Sequence, residues 1–229
     1  MFYFDYTYLV FVVPAMLLAL WAQFKVQSTF KKYSSVISMR RMTGHDAARR
    51  ILDANGLYNV KINRVAGNLT DHFDPRTNTV NLSDSVYDNC SVAAIGVAAH
   101  ESGHAVQHAV GYGPIKLRTA IIPITQIGSN LAMPLVLIGL LLSFVELAYL
   151  GCIFFATATL FQLVTLPVEF NASSRAMAAL ENTGILGSEE LKGSRKVLTA
   201  AAMTYVAALA VSLGQLLRLL IIVGGRDRD

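Results

Sequence analysis

The chain has 229 residues, 54% hydrophobic and only 15% charged, with a mean hydropathy of +0.47. That is too apolar for an ordinary soluble domain and fits a membrane protein. A net charge of +4 would suit nucleic acid, but the basic residues serve another purpose, and no nucleic-acid partner is expected.

Residues 1–24 hold one side chain charged at neutral pH, Asp5, and the stretch 8–24 is close to bilayer-spanning length. The basic residues come after it, at Lys25, Lys31, Lys32, Arg40 and Arg41, whereas a cleaved signal peptide carries them in front. The positive-inside rule therefore predicts an N-terminal transmembrane anchor with its N-terminus outside.

Residues 25–118 read as a cytoplasmic α+β region. Thr43 and Asp46 have the spacing of a helix N-cap and its N3 partner. Ala47, Ala48, Ile51 and Leu52 would form the apolar face of that helix, and Gly56 its stop. Residues 60–65 alternate like a strand, and 71–73 and 79–82 flank a turn-rich 74–78. Together they predict a small antiparallel sheet, whose exposed edge could hold an extended peptide. Cys90 and Cys152 have neither the setting of a disulfide nor the spacing of a zinc pair, and read as small buried residues.

A helix is predicted over about 91–110, and it carries His100-Glu101-Ser102-Gly103-His104. Residues four apart share one helix face, so His100 and His104 can offer imidazole nitrogens to a single Zn²⁺. Glu101 sits at the edge of that face, in reach of a zinc-activated water, and is the expected catalytic base. The residues leading into the motif, 92–99, are all apolar or small, as a buried helix requires.

Residues 121–144 and 147–166 contain no Lys, Arg, Asp or Glu, and only Glu146 lies between them. Both are of spanning length, so 119–168 is expected to form a transmembrane hairpin with its tip outside. Pro167 is expected to break the second span, opening cytoplasmic helices over 169–205. Residues 206–229 are expected to supply a fourth transmembrane helix and a tail, with Arg218 snorkelling to the surface or facing a partner. Twelve of the nineteen Lys and Arg residues fall in 25–118 and four in 169–205, so the basic excess marks orientation.

Two histidines leave a catalytic zinc site one protein ligand short. His108 lies two turns from His100, roughly 12 Å along a continuous helix, too far to share its ion. His45 and His72 remain open. Glu169 is favoured because the predicted hairpin returns it to the face carrying the motif helix. A carboxylate in the first turn of a new helix could equally be serving the helix dipole.

The motif stretch 100–107, the segment 73–83 and Val168-Glu169-Phe170-Asn171-Ala172-Ser173-Ser174-Arg175-Ala176 together resemble the YugP-type neutral zinc metallopeptidases of bacterial membranes. The resemblance covers nearly the whole chain. It implies a gluzincin-type, zincin-like enzyme of the inner membrane with one zinc on His100, His104 and Glu169, and with Glu101 catalytic. The chain is more distantly similar to the HtpX and CAAX-processing peptidases, which follow H-E-x-x-H with E-x-x-A-D. Here Ser173 stands where that pattern has Asp, so the group orienting a zinc histidine is open among Ser173, Asn171, Asp84 and Asp88.

The expected activity is endopeptidase cleavage of a protein or peptide substrate, membrane-associated or cytoplasmic, at a cytoplasmic-side site. A regulatory membrane partner is compatible with this reading. Arg175 and His72 are candidates for stabilising the transition state. Two rivals stand beside it: an intramembrane zinc protease, and a non-catalytic scaffold that keeps zinc structurally.

Overall fold

The computed structural model describes residues 6–226, so the first five residues of the predicted anchor and 227–229 of the tail lie outside the described residues. The chain divides into two compact units, one of residues 24–116 and 167–202, the other of 1–23, 117–166 and 203–229. Among the described residues, four helices are long and apolar enough to cross a membrane: Tyr8–Ser34, Gly113–Leu141, Val145–Asn182 and Ser188–Gly225.

In the first unit, helix α1 (Val13–Ser34) ends and a short link leads to α2 (Gly44–Ala54). The Thr43 hydroxyl accepts from the Asp46 amide at 3.1 Å, and the Asp46 carboxylate accepts from the Thr43 amide at 3.2 Å. This is the capping box expected from the spacing. Ala47, Ala48, Ile51 and Leu52 are buried as one face, each large side chain worth about 1.5–3 kcal/mol on removal from water. Gly56 follows at φ +73°, a conformation that costs glycine little.

Three strands follow: β1 (Lys61–Val65), β2 (His72–Asp74) and β3 (Thr79–Ser83), in the order β1-β3-β2. β2 and β3 form the expected hairpin, with Phe73 opposite Val80. The sheet is nevertheless mixed, because β1 pairs with β3 in parallel, Lys61 opposite Thr79 and Val65 opposite Ser83. The physical reason is burial. Val80 and Leu82 are fully buried, so β3 takes the centre, and the 66–71 link carries the chain past it to the far edge. The half-buried Asp71 at the end of that link accepts from the Ser83 amide and hydroxyl at 2.7 and 2.9 Å. Burial pushes its carboxyl above the usual range.

Helix α3 (Val92–Ala109) starts at Ser91, whose hydroxyl accepts from the Ala94 amide at 3.2 Å. Its Val92, Ile95 and Ala99 pack with Ile51 of α2, Ala176 and Leu180 of α5 (Val145–Asn182) and Leu198 of α6 (Ser188–Arg226). On its other side Ala94, Ala98 and Ala105 meet Leu52, Val80 and Leu82. A helix enclosed in this way is largely Ala, Gly and Val because its neighbours approach closely.

The second unit holds a π-helical turn (Tyr8–Val12) leading into α1, the body of α4 (Gly113–Leu141), and the apolar parts of α5 and α6. Val136, Ala148, Cys152, Leu219 and Val223 form its core. A Cβ at Gly151 would fall 2.7 Å from the Ala132 carbonyl, so α4 and α5 meet backbone to backbone, the small-residue packing typical of apolar helices. Thr159 and Ser212 hydroxyls are 2.8 Å apart, and the Arg218 guanidinium lies 5.4 Å from the Tyr8 ring centroid. Cys90 and Cys152 are both free thiols.

Pro167 does not end α5, which runs unbroken from Val145 to Asn182. Proline removes one backbone hydrogen bond and crowds the preceding turn, but the turn after it is anchored: Val168, Glu169 and Ala172 are buried, and Ala172 meets Gly103 of α3.

Candidate metal centre

The centre is built from α3 and from the 167–182 part of α5, within one compact unit. α3 supplies His100 and His104 from consecutive turns, with ring centroids 4.7 Å apart and planes at 83°. α5 can reach them because Gly103 has no side chain: a Cβ there would lie 2.7 Å from the Ala172 carbonyl oxygen. Val168, Ala172 and Ala176 are fully buried, and Glu169 is 2% exposed. Its Oε2 is 3.3 Å from His100 Nε2 and 3.5 Å from His104 Nε2. One donor atom from each of the three residues lies within 4.8 Å of the others. Among the described residues, no other cluster of His, Cys, Asp and Glu has such geometry.

The far nitrogens of both rings are also held. Ser173, one turn beyond Glu169, has its hydroxyl 3.1 Å from His100 Nδ1. Gln107, one turn beyond His104, accepts from His104 Nδ1 at 3.0 Å and donates to the Val168 carbonyl at 2.8 Å. Gln107 also donates to Asn171 Oδ1 at 3.0 Å, the oxygen that accepts from Arg175 Nε at 2.8 Å. The Arg175 guanidinium lies 6.0 Å from the Tyr112 ring centroid. Glu101 is buried beside the pair, and its charge acts on His104. For His104, burial disfavours the charged ring, but the Glu169 bond, the Glu101 and Glu169 charges and the Gln107 bond outweigh it. The net shift is upward.

Of the sequence candidates, Ser173 and Asn171 therefore lie in the support of the two rings. Asp84 and Asp88 do not: each binds the Arg64 guanidinium at 2.7 Å. His72 Nδ1 is 2.9 Å from the Thr70 carbonyl and its Nε2 is 3.2 Å from Asn81 Nδ2, which occupies both ring nitrogens. His45 stacks near Tyr87, and His108 packs against Phe73 of β2. Gln107 was not among the candidates. Its signal in the sequence was a lone amide three residues past the second histidine, on a helix otherwise buried by small apolar residues.

Two imidazoles with their far nitrogens already hydrogen-bonded and one buried carboxylate are the donor set that a catalytic Zn²⁺ takes, leaving a position open. The arrangement fits such an ion without moving an element. Beside Ser173 opens a groove of ≈ 400 Å³ lined by Phe170, Met177, Arg195, Leu198 and Ala202.

Comparison with known proteins agrees with this chemistry. Residues 8–224 match the family described as "Putative neutral zinc metallopeptidase". The chain is 50% identical over 218 residues to "Putative membrane protease YugP" of Bacillus subtilis (strain 168), covering 95% of this chain and 97% of that protein. No solved structure matches it.

Proposed function

Because this chain belongs to the neutral zinc metallopeptidase family, we propose that it is a membrane-embedded zinc metalloendopeptidase, gluzincin-type in its donor set, cleaving proteins or peptides on the cytoplasmic side. The convergence of His100, His104 and Glu169 donor atoms within 4.8 Å, with Glu101 adjacent, carries this reading. His100, His104 and Glu169 hold one zinc. When bound, the ion polarises the scissile carbonyl and makes water acidic enough to deprotonate near neutral pH.

Glu101 takes a proton from the attacking water and passes it to the leaving amine. Ser173 and Gln107 hold the two rings in place while this happens. β2 is an edge strand whose Phe73 packs on His108 of α3, so an extended substrate added to that edge would run along the motif helix. The groove beside Ser173 would take one of its side chains.

The cytoplasmic orientation, with the N-terminus outside, rests on the clustering of Lys and Arg in 25–118 and 169–205. α3 is not among the four helices apolar enough to cross a membrane, which favours a site at the cytoplasmic side over one within the bilayer. The buried Glu101 carboxylate beside a three-residue donor set, a base that a closed structural site would not need, favours an enzyme over a scaffold.

The test is Glu101→Gln. Purified in detergent, it should retain one zinc per chain while losing at least about 100-fold in cleavage of an unfolded protein substrate. Unchanged proteolysis would remove Glu101 from the chemistry. Comparing protein termini between cells carrying either form would then name the substrates.

A further inference from the structure

On the Nδ1 side of His104 the polarity of the hydrogen bonds is determined by a side chain that does not touch the ring. We infer that Gln107 is a positioning residue which, directed by Arg175 through Asn171, commits His104 to the tautomer with its proton on Nδ1 and its lone pair on Nε2. This deepens the proposed function, since it rests on His104 being a metal ligand.

The argument runs from the group with no choice. A guanidinium only donates, so the atom of Asn171 that meets Arg175 Nε at 2.8 Å is the amide oxygen. Gln107 meets that same oxygen at 3.0 Å and the Val168 carbonyl at 2.8 Å. Two acceptors can be answered only by its NH₂ group, so its oxygen must face the other way. That oxygen lies 3.0 Å from His104 Nδ1, which must therefore carry the proton. A neutral ring then has its lone pair on Nε2, the atom 3.5 Å from Glu169 Oε2 and within the donor cluster.

Gln107 is fully buried, so no solvent can substitute for a bond lost by turning the amide over. A carboxylate is the more familiar partner for a zinc histidine. Here the amide orients the ring without adding a third negative charge beside Glu101 and Glu169.

The experiment compares two nearly isosteric changes of opposite logic, reading zinc affinity by chelator competition in detergent-solubilised full-length protein. Gln107→Glu keeps the acceptor for His104 but has no N–H for Val168 and Asn171, and should weaken zinc binding about 10–100-fold. Asn171→Asp keeps an acceptor for both Arg175 and Gln107, and should bind zinc nearly as wild type does. Nitrogen-15 spectra of zinc-loaded wild type should show His104 protonated at Nδ1, with that proton exchanging slowly. Gln107→Met, which offers no acceptor amide, should speed the exchange.

Zinc binding by Gln107→Glu as tight as wild type, or tighter, would overturn the inference in favour of simple charge. Asn171→Asp falling as far as Gln107→Glu would overturn it in favour of packing. A wild-type His104 with no proton on Nδ1 would overturn it whether or not any variant folds. Wild type that takes up no zinc would instead defeat the metal reading, and spectra of the neutral ring in metal-free protein would still decide the tautomer.

Discussion

Gly103 and Ala172 mark the point where the motif helix and the carboxylate-bearing helix touch backbone to backbone, a Cβ at 103 falling 2.7 Å from the Ala172 carbonyl oxygen. The middle of the H-E-x-x-H motif thus has a structural duty distinct from the chemistry of its ends. Gly103→Ala must push α5 away from α3 or distort one of them, a strain of about 1–3 kcal/mol. Glu169 sits less than one turn from the contact, so the variant should fold yet lose most of its zinc affinity. Metal content and thermal unfolding measured on the same preparation check this.

Glu169→Ala should abolish stoichiometric zinc binding while leaving His100 and His104 in place. Two imidazoles alone hold the ion far less tightly than a three-ligand set. Mass spectrometry of the intact protein in detergent gives the answer directly. Full occupancy in this variant would transfer the third position to another residue.

Acid should strip the metal early. His104 in the metal-free fold has its pKa raised, chiefly by Glu169 and Glu101 against the opposing effect of burial. Protons therefore compete for its ring from a higher pH than for an ordinary histidine, and zinc affinity should fall as pH drops through that raised value. The same shift has a stability sign in the metal-free protein. The contribution of the charged ring is fully present below the unfolded pKa near 6.5 and is lost as pH rises through the folded one. Chelator-treated protein should accordingly unfold at higher temperature at pH 6 than at pH 8, provided the rest of the chain changes little.

Thr43→Ala removes the hydroxyl that caps α2 and should cost about 1 kcal/mol of stability. The capping pair Thr43 and Asp46 touches none of His100, Glu101, His104 or Glu169, so metal content should not change. Calorimetry beside metal analysis separates the two effects.

Much of this was legible in the sequence, for identifiable reasons. Thr43 with Asp46 and the four-residue spacing of His100 and His104 are local signals, decided within one helical turn. The convergence of Glu169 with the histidines was readable because charge and length suggested a hairpin returning to the same side. Strand order was not readable: nothing local to β1 says that β3, with its buried Val80 and Leu82, will take the centre and be met in parallel. Pro167 misled because its local cost is overridden by the burial of Val168, Glu169 and Ala172 in the turn that follows it. His72 looked available, but its nitrogens are taken by Thr70 and Asn81, contacts that only the folded hairpin reveals.

The donor set draws on chain positions separated by the whole of α4 and the first half of α5. A nascent chain that has emerged only as far as residue 166 contains His100, Glu101 and His104 but not the carboxylate of Glu169. On the proposed function, hydrolytic capacity can arise only after the paired apolar helices have been synthesised.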